Sequence, residues 1–416
     1  MRASSRLLSL SAWLLAALAS PAAAGVIVVD PAGGGDFTDP SQALAAAASG
    51  DIVILKPADY TTTTLFLDVD GKALVIAGDG GGPVTIPSLQ VHNVPAGGTF
   101  VLRHLTFQPN TFTSLTGKTV LIDHCAGNVH IEDCTIAGID GHPALGFAAD
   151  GLPGLLLSDN TGAVAIHRSM ITGGKGQSTV SLIFSIQTPS QGAHAIVSDG
   201  GRLALYAVTA TGGKGGDGID VPAAGAPGGS GLSATGCEVI VSGATLVGGD
   251  GGTGTSPGLS GSGVTLTGAG SALSELDSTL VGGAGSPPLV LGGATHEIWP
   301  GQAWQIVLSS PQRSGEPGSF AVSGPPSCLF GLFISLKMGY QPIGKFKGSF
   351  LPASPFFGPQ LIASTNGAGN FHATFLAPSL QPFGLEGLLN VDQALMVQPV
   401  DGLVLSSATA YVQYGP

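Results

Sequence analysis

The chain has 416 residues, of which 67 are Gly and only 10% are charged, with 14 Lys and Arg against 26 Asp and Glu and a formal net charge of −12. So much apolar surface with so little charge excludes a disordered chain. An acidic surface with no basic stripe argues against nucleic acid and against anionic lipid as partners.

Arg2 and Arg6 precede an apolar run from Leu7 to Ala19, and Ala22, Ala23 and Ala24 supply small residues at a cleavage site. This predicts a signal peptide over 1–24 and a mature protein that is secreted, extracellular or at the cell surface. No later stretch of 18 apolar residues occurs, so no transmembrane segment is expected in the mature chain. What remains is longer than one compact core usually holds, and two domains are expected, 25–298 and 299–416.

The mature chain opens with a strand at Val26 to Val29. Asp39 then stands where a helix cap belongs, Pro40 at the first helical position and Gln42 in capping-box position, ahead of the helix formers Ala43 to Ala48. A short helix here would plug the open end of a stack of strands. Ile52 to Leu55 reads as the first strand after it, and Leu65 to Leu67, Ala73 to Ile76, Val84 to Ile86, Leu89 to Val91 and Phe100 to Leu102 as further strands.

From Val120 to Pro288 one unit recurs. Val120 to Cys134 aligns without a gap on Leu155 to Ser169, and the register continues at Ala195 to Val208, Ala234 to Ala244 and Ala269 to Ser278. Apolar residues alternate within each unit, as in Val129 and Ile131 against His130 and Glu132, the period of a strand with one buried face. Such a unit cannot bury its own apolar face, so the units must stack and share a core. The predicted fold class is therefore all-β, a right-handed parallel β-helix with Ile136, Ile171, Ala210, Leu246 and Leu280 in one internal ladder. Thr135, Met170, Thr209, Thr245 and Thr279 would form the next ladder. After each seam comes a segment rich in Gly, Ser and Pro: Gly173 to Gln191, Gly212 to Gly231, Gly248 to Gly261 and Gly282 to Pro288. These read as loops on one side of the stack, a candidate binding face.

The order of strand, Asp36-Phe37, Ala-rich helix, Gly50 to Ile54 and a Pro57 to Tyr60 turn resembles the N-terminal cap and first coil of the pectin-lyase-like right-handed parallel β-helix superfamily, over about 26–298. The resemblance implies fold more than activity, because that superfamily holds polysaccharide lyases, glycoside hydrolases, adhesins and surface proteins. Past Trp299 the seams stop and Phe and Pro become frequent. Strands are expected at Trp304 to Leu308, Leu329 to Leu336, Gly358 to Ala363, Gly369 to Phe375, Leu388 to Pro399 and Leu403 to Tyr411. With Thr365 to Gly369, Phe383 to Gly387 and Gly402 to Ala408, this end resembles a C-terminal β-sandwich module of secreted bacterial proteins.

Stacking the units gives a polar stripe. One column reads Arg103, Glu132, His167, Tyr206 and Ser242; the next reads His104, Asp133, Arg168, Ala207, Gly243 and Asp277. Asp123 and His124 lie on the preceding strand. In a polysaccharide-cleaving β-helix, carboxylates on adjacent coils act as acid and base or hold calcium. The catalytic candidates are thus Glu132, Asp133, Arg168 and Asp123, and the ligand-binding candidates Arg103, His104, His167 and Tyr206. The plainer reading is a solvated outer face with Asp133 and Arg168 paired across coils.

Gly212 to Asp220 matches one calcium-binding nonapeptide and makes Asp217 and Asp220 candidate metal ligands, without the tandem copies such sites need. No other cofactor is implied. Gly254 to Gly258 spells a hydrolase nucleophile elbow but lacks its strand and helix. Cys125 and Cys134 could form a disulfide; the alternative is that they, Cys237 and Cys328 are buried thiols. The expected role is non-enzymatic, structural or adhesive, with extracellular polysaccharide or a cell-envelope component as candidate partner. The alternative is a polysaccharide lyase or glycoside hydrolase.

Overall fold

The computed structural model describes residues 24–415 apart from 63, 65, 110–117, 143–149, 183–184, 219–222, 344–345, 384 and 399–401. The signal-peptide expectation for 1–24 therefore falls, but for Ala24, outside the described residues.

Coils that each carry up to three short strands stack their like strands into three parallel sheets, which makes the N-terminal part a parallel β-helix. A ten-stranded sheet runs from Val26–Val29 to Thr295–Trp299, a second sheet from Leu67–Asp70 to Leu289–Gly292, and a third from Ala58–Asp59 to Thr279–Val281. Register follows the repeat: Ile136, Ile171, Ala210, Leu246 and Leu280 pair in sequence, as do Thr135, Met170, Thr209, Thr245 and Thr279. Inward positions of all three sheets merge into one core, within which Ile131, Ile166, Leu205 and Val241 are fully buried. The helix Pro40–Ala46 closes the first coil, with the Asp39 carboxylate accepting Ser41 N at 2.8 Å and Ala43 and Leu44 turned inward.

The corner between the ten-stranded and third sheets is a single residue in the left-handed region. His104, Asp133, Arg168, Ala207, Gly243 and Asp277 all take φ of 45–60° there. The six coils from that of His104 to that of Asp277 therefore share this conformation at the same corner. The four cysteines are free and buried, and Cys125 and Cys134 are not bonded to each other.

The Gly-rich segments are not irregular loops. Outgoing rods donate from every third N–H to the next coil: Gly173, Gly176 and Thr179 to Thr211, Lys214 and Asp217, then Gly212, Gly215 and Gly218 to Val247, Asp250 and Thr253. Three residues per turn is the period of an extended left-handed polyproline-II helix, which makes no bonds within itself and so must bond its neighbours. A second N–H of each turn crosses to a layer of returning rods, as in Gly213 to Ala193 O, Gly216 to Ser190 O and Gly252 to Ala226 O. Glycine is required because the rods nearly touch: a Cβ on Gly216 would stand 1.8 Å from Gln177 O, and one on Gly174 1.8 Å from Ile139 O. A loop expected from composition is thus a hydrogen-bonded slab. Composition alone hides it, because its period of three is carried by backbone and not by side chains.

Past the solenoid, the chain forms an antiparallel sandwich. One sheet holds Gln305–Leu308, Pro317–Ser323 and Asn370–Leu376; the other holds Leu329–Ser335, Phe356–Ser364, Gly387–Gln398 and Gly402–Tyr414 with short additions. Trp304, Phe320, Phe330, Met396 and Tyr411 fill the space between. Pro317–Ser323 was not among the expected strands, because Pro317 and Gly318 mask an otherwise clean alternation.

Candidate functional site

The expected polar column is formed in register, Arg103 beside Glu132, His167, Tyr206 and Ser242. It does not face solvent. The sandwich lies on the outer face of the ten-stranded sheet, so Arg103, Glu132, His167 and Tyr206 are each at most 1% exposed. A solvated outer face is therefore corrected to an interface between the two parts of the chain. The physical reason is that the outward side of the sheet offers Ala163, Ala165, Ala204 and Ile240, an apolar surface that packs on Met338, Tyr340, Leu351, Val391 and Ala408.

The charged candidates there have partners across this interface or along the stack, whereas both ring nitrogens of His167 are buried without a hydrogen-bond partner. The Glu132 carboxylate accepts Thr409 Oγ1 at 2.5 Å and Ala410 N at 2.7 Å, and meets Arg103 Nη1 at 2.7 Å and the Arg168 guanidinium. Arg103 donates to the carbonyls of Leu308, Ser310 and Ala410 and to Thr409 Oγ1. Arg168 donates to Ile306 O at 2.8 Å and pairs with Asp133 at 3.0 Å, the one ion pair the stacking predicted. His104 Nε2 stands 3.7 Å from Asp133. His130, His167 and Tyr206 stack ring on ring, with centroids 4.5 and 5.1 Å apart, and Tyr206 accepts Ser349 N.

Electrostatics follow from this burial. Desolvation alone would raise the Glu132 carboxyl, but Arg103 and Arg168 outweigh it and hold the group well below the usual range. Desolvation pushes His167 well below an ordinary imidazole and Tyr206 up to about 12. Asp392, on the strand beside Thr409, is pushed up to about 8 by burial and then by the Glu132 charge. Sequence reading missed Asp392 entirely, since nothing local says that it will be covered.

Asp123 is apart from this cluster, on the second sheet. It touches His92 and stands 3.4 Å from His124, which is 3.8 Å from Asp159; His92 in turn is 3.6 Å from Asp68. Asp217 is spent inside the slab: Lys214 Nζ donates to it at 2.7 Å, and Thr253 N at 2.6 Å. Asp220 lies outside the described residues. Among the described residues no group of three or more His, Cys, Asp or Glu is placed to hold a metal ion.

An open concavity lies elsewhere. A trough of about 900 Å3 runs along the Gly seams, where the third sheet meets the outgoing rods. Its floor is Gly173, Gly212–Gly213, Gly248–Gly249 and Gly282–Gly283; Thr172, Thr211 and Val247 form one wall and Asp140, Lys175, Lys214 and Asp250 the other. The third N–H of each rod turn points outward, away from both neighbouring rods, and the acidic members of this wall cap it: Asp140 Oδ1 accepts Lys175 N at 2.7 Å and Asp250 Oδ1 accepts Ala284 N at 2.9 Å. A lysine cannot accept. Lys175 and Lys214 therefore do no capping, and the Lys175 ammonium has no acidic partner among the described residues. The signal that could have found this wall is positional, since Asp140, Lys175, Lys214 and Asp250 all stand two residues after the first Gly of a seam.

No family model matches the chain, and no curated protein matches it. Among solved structures, the superoxide reductase (neelaredoxin) from Ignicoccus hospitalis is similar at 9% identity and a TM-score of 0.17, covering 28% of this chain and 82% of that one. The enzymatically active domain of bacteriophage CBA120 tailspike protein 4 is similar at 9% identity and a TM-score of 0.19, over 87% of this chain and 64% of that one. Full-length tailspike protein 2 from an Escherichia coli bacteriophage gives 7%, 0.21, 89% and 62%. The chain thus spans less than two thirds of either tailspike structure. Likenesses this low carry no weight for function.

Proposed function

We propose that this is a secreted or cell-surface parallel β-helix protein of structural or adhesive role, pectin-lyase-like in its solenoid, that holds an extended polysaccharide in the seam trough. One observation carries the reading. The Arg103, Glu132, Asp133 and Arg168 cluster is largely buried against the sandwich and committed to ion pairs and hydrogen bonds, whereas the trough is open along several coils and presents Lys175, whose ammonium has no acidic partner among the described residues. Strands in a sheet lie about 4.8 Å apart, so Lys175 and Lys214, one coil apart, meet a linear chain at successive sugars; the Lys175 ammonium favours an acidic one, while Lys214 is shared with Asp217. The Thr172 and Thr211 hydroxyls opposite supply neutral hydrogen bonds.

A polysaccharide panel tests this, read for both binding and depolymerisation. Binding of acidic glycans that falls at least about tenfold in Lys175→Ala/Lys214→Ala, a loss of about 1.4 kcal/mol, with no new chain ends, is the expected result. Chain ends that appear with the native protein and vanish in Asp133→Asn would overturn it in favour of a lyase or hydrolase.

A further inference from the structure

The two ends of the solenoid are finished differently. At the first coil, the helix Pro40–Ala46 packs across Val26–Val29, Ile52–Leu55 and Leu67–Asp70, and Val53 and Leu55, in the same core cluster as Ala43 and Leu44, are fully buried. At the last coil, Thr279–Val281, Leu289–Gly292 and Thr295–Trp299 are each the terminal strand of their sheet. The chain leaves there into the sandwich, which lies along the side of the stack and not over its end. Leu291 is 39% exposed, although its register partner one coil back, Leu266, is 0% exposed, and Ile298 is 69% exposed. Val281 and Val290 are exposed beside them.

Part of this end is blunted. Glu275 occupies the inward column of Val241, His296 that of Leu273, and the two meet at 3.0 Å. Inward charges are a known way to discourage edge pairing. This pair satisfies itself, however, and leaves Leu291, Ile298 and three rows of backbone donors and acceptors uncovered.

We propose that two copies of this chain associate C-terminal end to C-terminal end, last coil against last coil. A single strand or helix from another protein could satisfy one edge, but only another solenoid end presents three edges in the same outline. The N-terminal end of a second copy is filled by its own helix, so head-to-tail stacking is blocked and the arrangement is a closed two-fold pair. Two-fold symmetry reverses strand direction, so the new ladders are antiparallel. The last coil from Thr279 to Trp299 brings about 20 residues to each side, the size of a small specific interface. Charge agrees, since Glu275, His296 and Glu297 are the only residues of the end that could bear charge, apart from the partnered Asp277 at its margin. This inference does not depend on the seam trough.

Sedimentation equilibrium of the full mature chain tests it, with Leu291→Lys/Ile298→Lys as the variant. The native protein is expected to dimerise and to dissociate on dilution. The variant is expected to be monomeric across the same range, with unchanged circular dichroism and the melting temperature of the diluted native monomer. A native chain that stays monomeric up to its solubility limit, or a variant that still dimerises, overturns the proposal. Orientation is read by oxidative cross-linking, for which the four buried native thiols give a quiet background. Val290→Cys should cross-link and Ala45→Cys, on the exposed side of the capping helix, should not; the reverse pattern refutes the geometry.

Discussion

Two flanks of the solenoid carry opposite kinds of information. On the flank under the sandwich, Arg103, Glu132, Asp133 and Arg168 form the densest charge cluster among the described residues, and all but Asp133 bond directly to the sandwich, joining two bodies of one chain. On the glycine flank, a stretch that reads as featureless packs so tightly that a single methyl would collide with backbone. Charge density therefore marks adhesion between domains here, and low complexity marks the most exacting packing.

The largest effect should come from the glycine flank. Gly216→Ala would drive its Cβ into Gln177 O, which cannot move without breaking the rod lattice. A loss above about 4 kcal/mol, or no soluble protein at all, is expected. Its neighbour in the trough wall, Lys175→Ala, should stay within about 0.5 kcal/mol in urea unfolding. Equal effects would break the distinction between lattice and wall.

On the other flank, Glu132→Ala leaves Arg103 and Arg168 without their shared carboxylate and should cost about 3–5 kcal/mol, measurable by denaturant melts or by increased proteolysis of the linker near Trp299. A loss below 1 kcal/mol would mean that the apolar contacts hold the sandwich unaided.

The same interface sets a pH dependence of two signs. Asp392 keeps its proton in the folded state up to about pH 8 but releases it near 3.8 when unfolded, so its contribution to stability declines as pH rises from about 4 to about 8. Glu132 is displaced the other way, and its contribution is present above its unfolded value of 4.5 and lost as pH falls through its lower folded value. Asp392→Asn should therefore flatten the decline in melting temperature between pH 5 and 8 and leave the acid limb unchanged. An unaltered slope would show that Asp392 is not protonated in the fold.

Within this interface the smallest change is expected at Asp133→Asn, which keeps a residue suited to positive φ and removes one charge from a partly exposed pair. Because Arg168 retains Glu132, about 0–1 kcal/mol is expected in the same melts. A larger loss would place Asp133 within the clamp itself.

How much of this was legible varies with the range of the forces involved. Ladders such as Ile136 to Leu280 could be read directly, because each coil repeats the same local alternation and stacking only copies it. The polar stripe was legible as a column, down to the Asp133–Arg168 pair. Its burial was not, because the covering groups, Thr409, Ala410 and Ser310, are uncharged and lie 207 to 307 residues further along the chain. The seam trough was legible only as a place where insertions gather. Its wall depends on which N–H of each three-residue turn points outward, a matter of backbone geometry with no side-chain signature.

Sequence by itself determined the repeat, the strand register, the capping helix and the split into solenoid and sandwich, since these follow from periodicity, turn chemistry and the need of each unit to bury one face. Tertiary structure alone decided which surfaces stay open. Whether an outward column meets water or another domain depends on where a distant segment of chain comes to rest, and that contact leaves no mark on the residues it will cover.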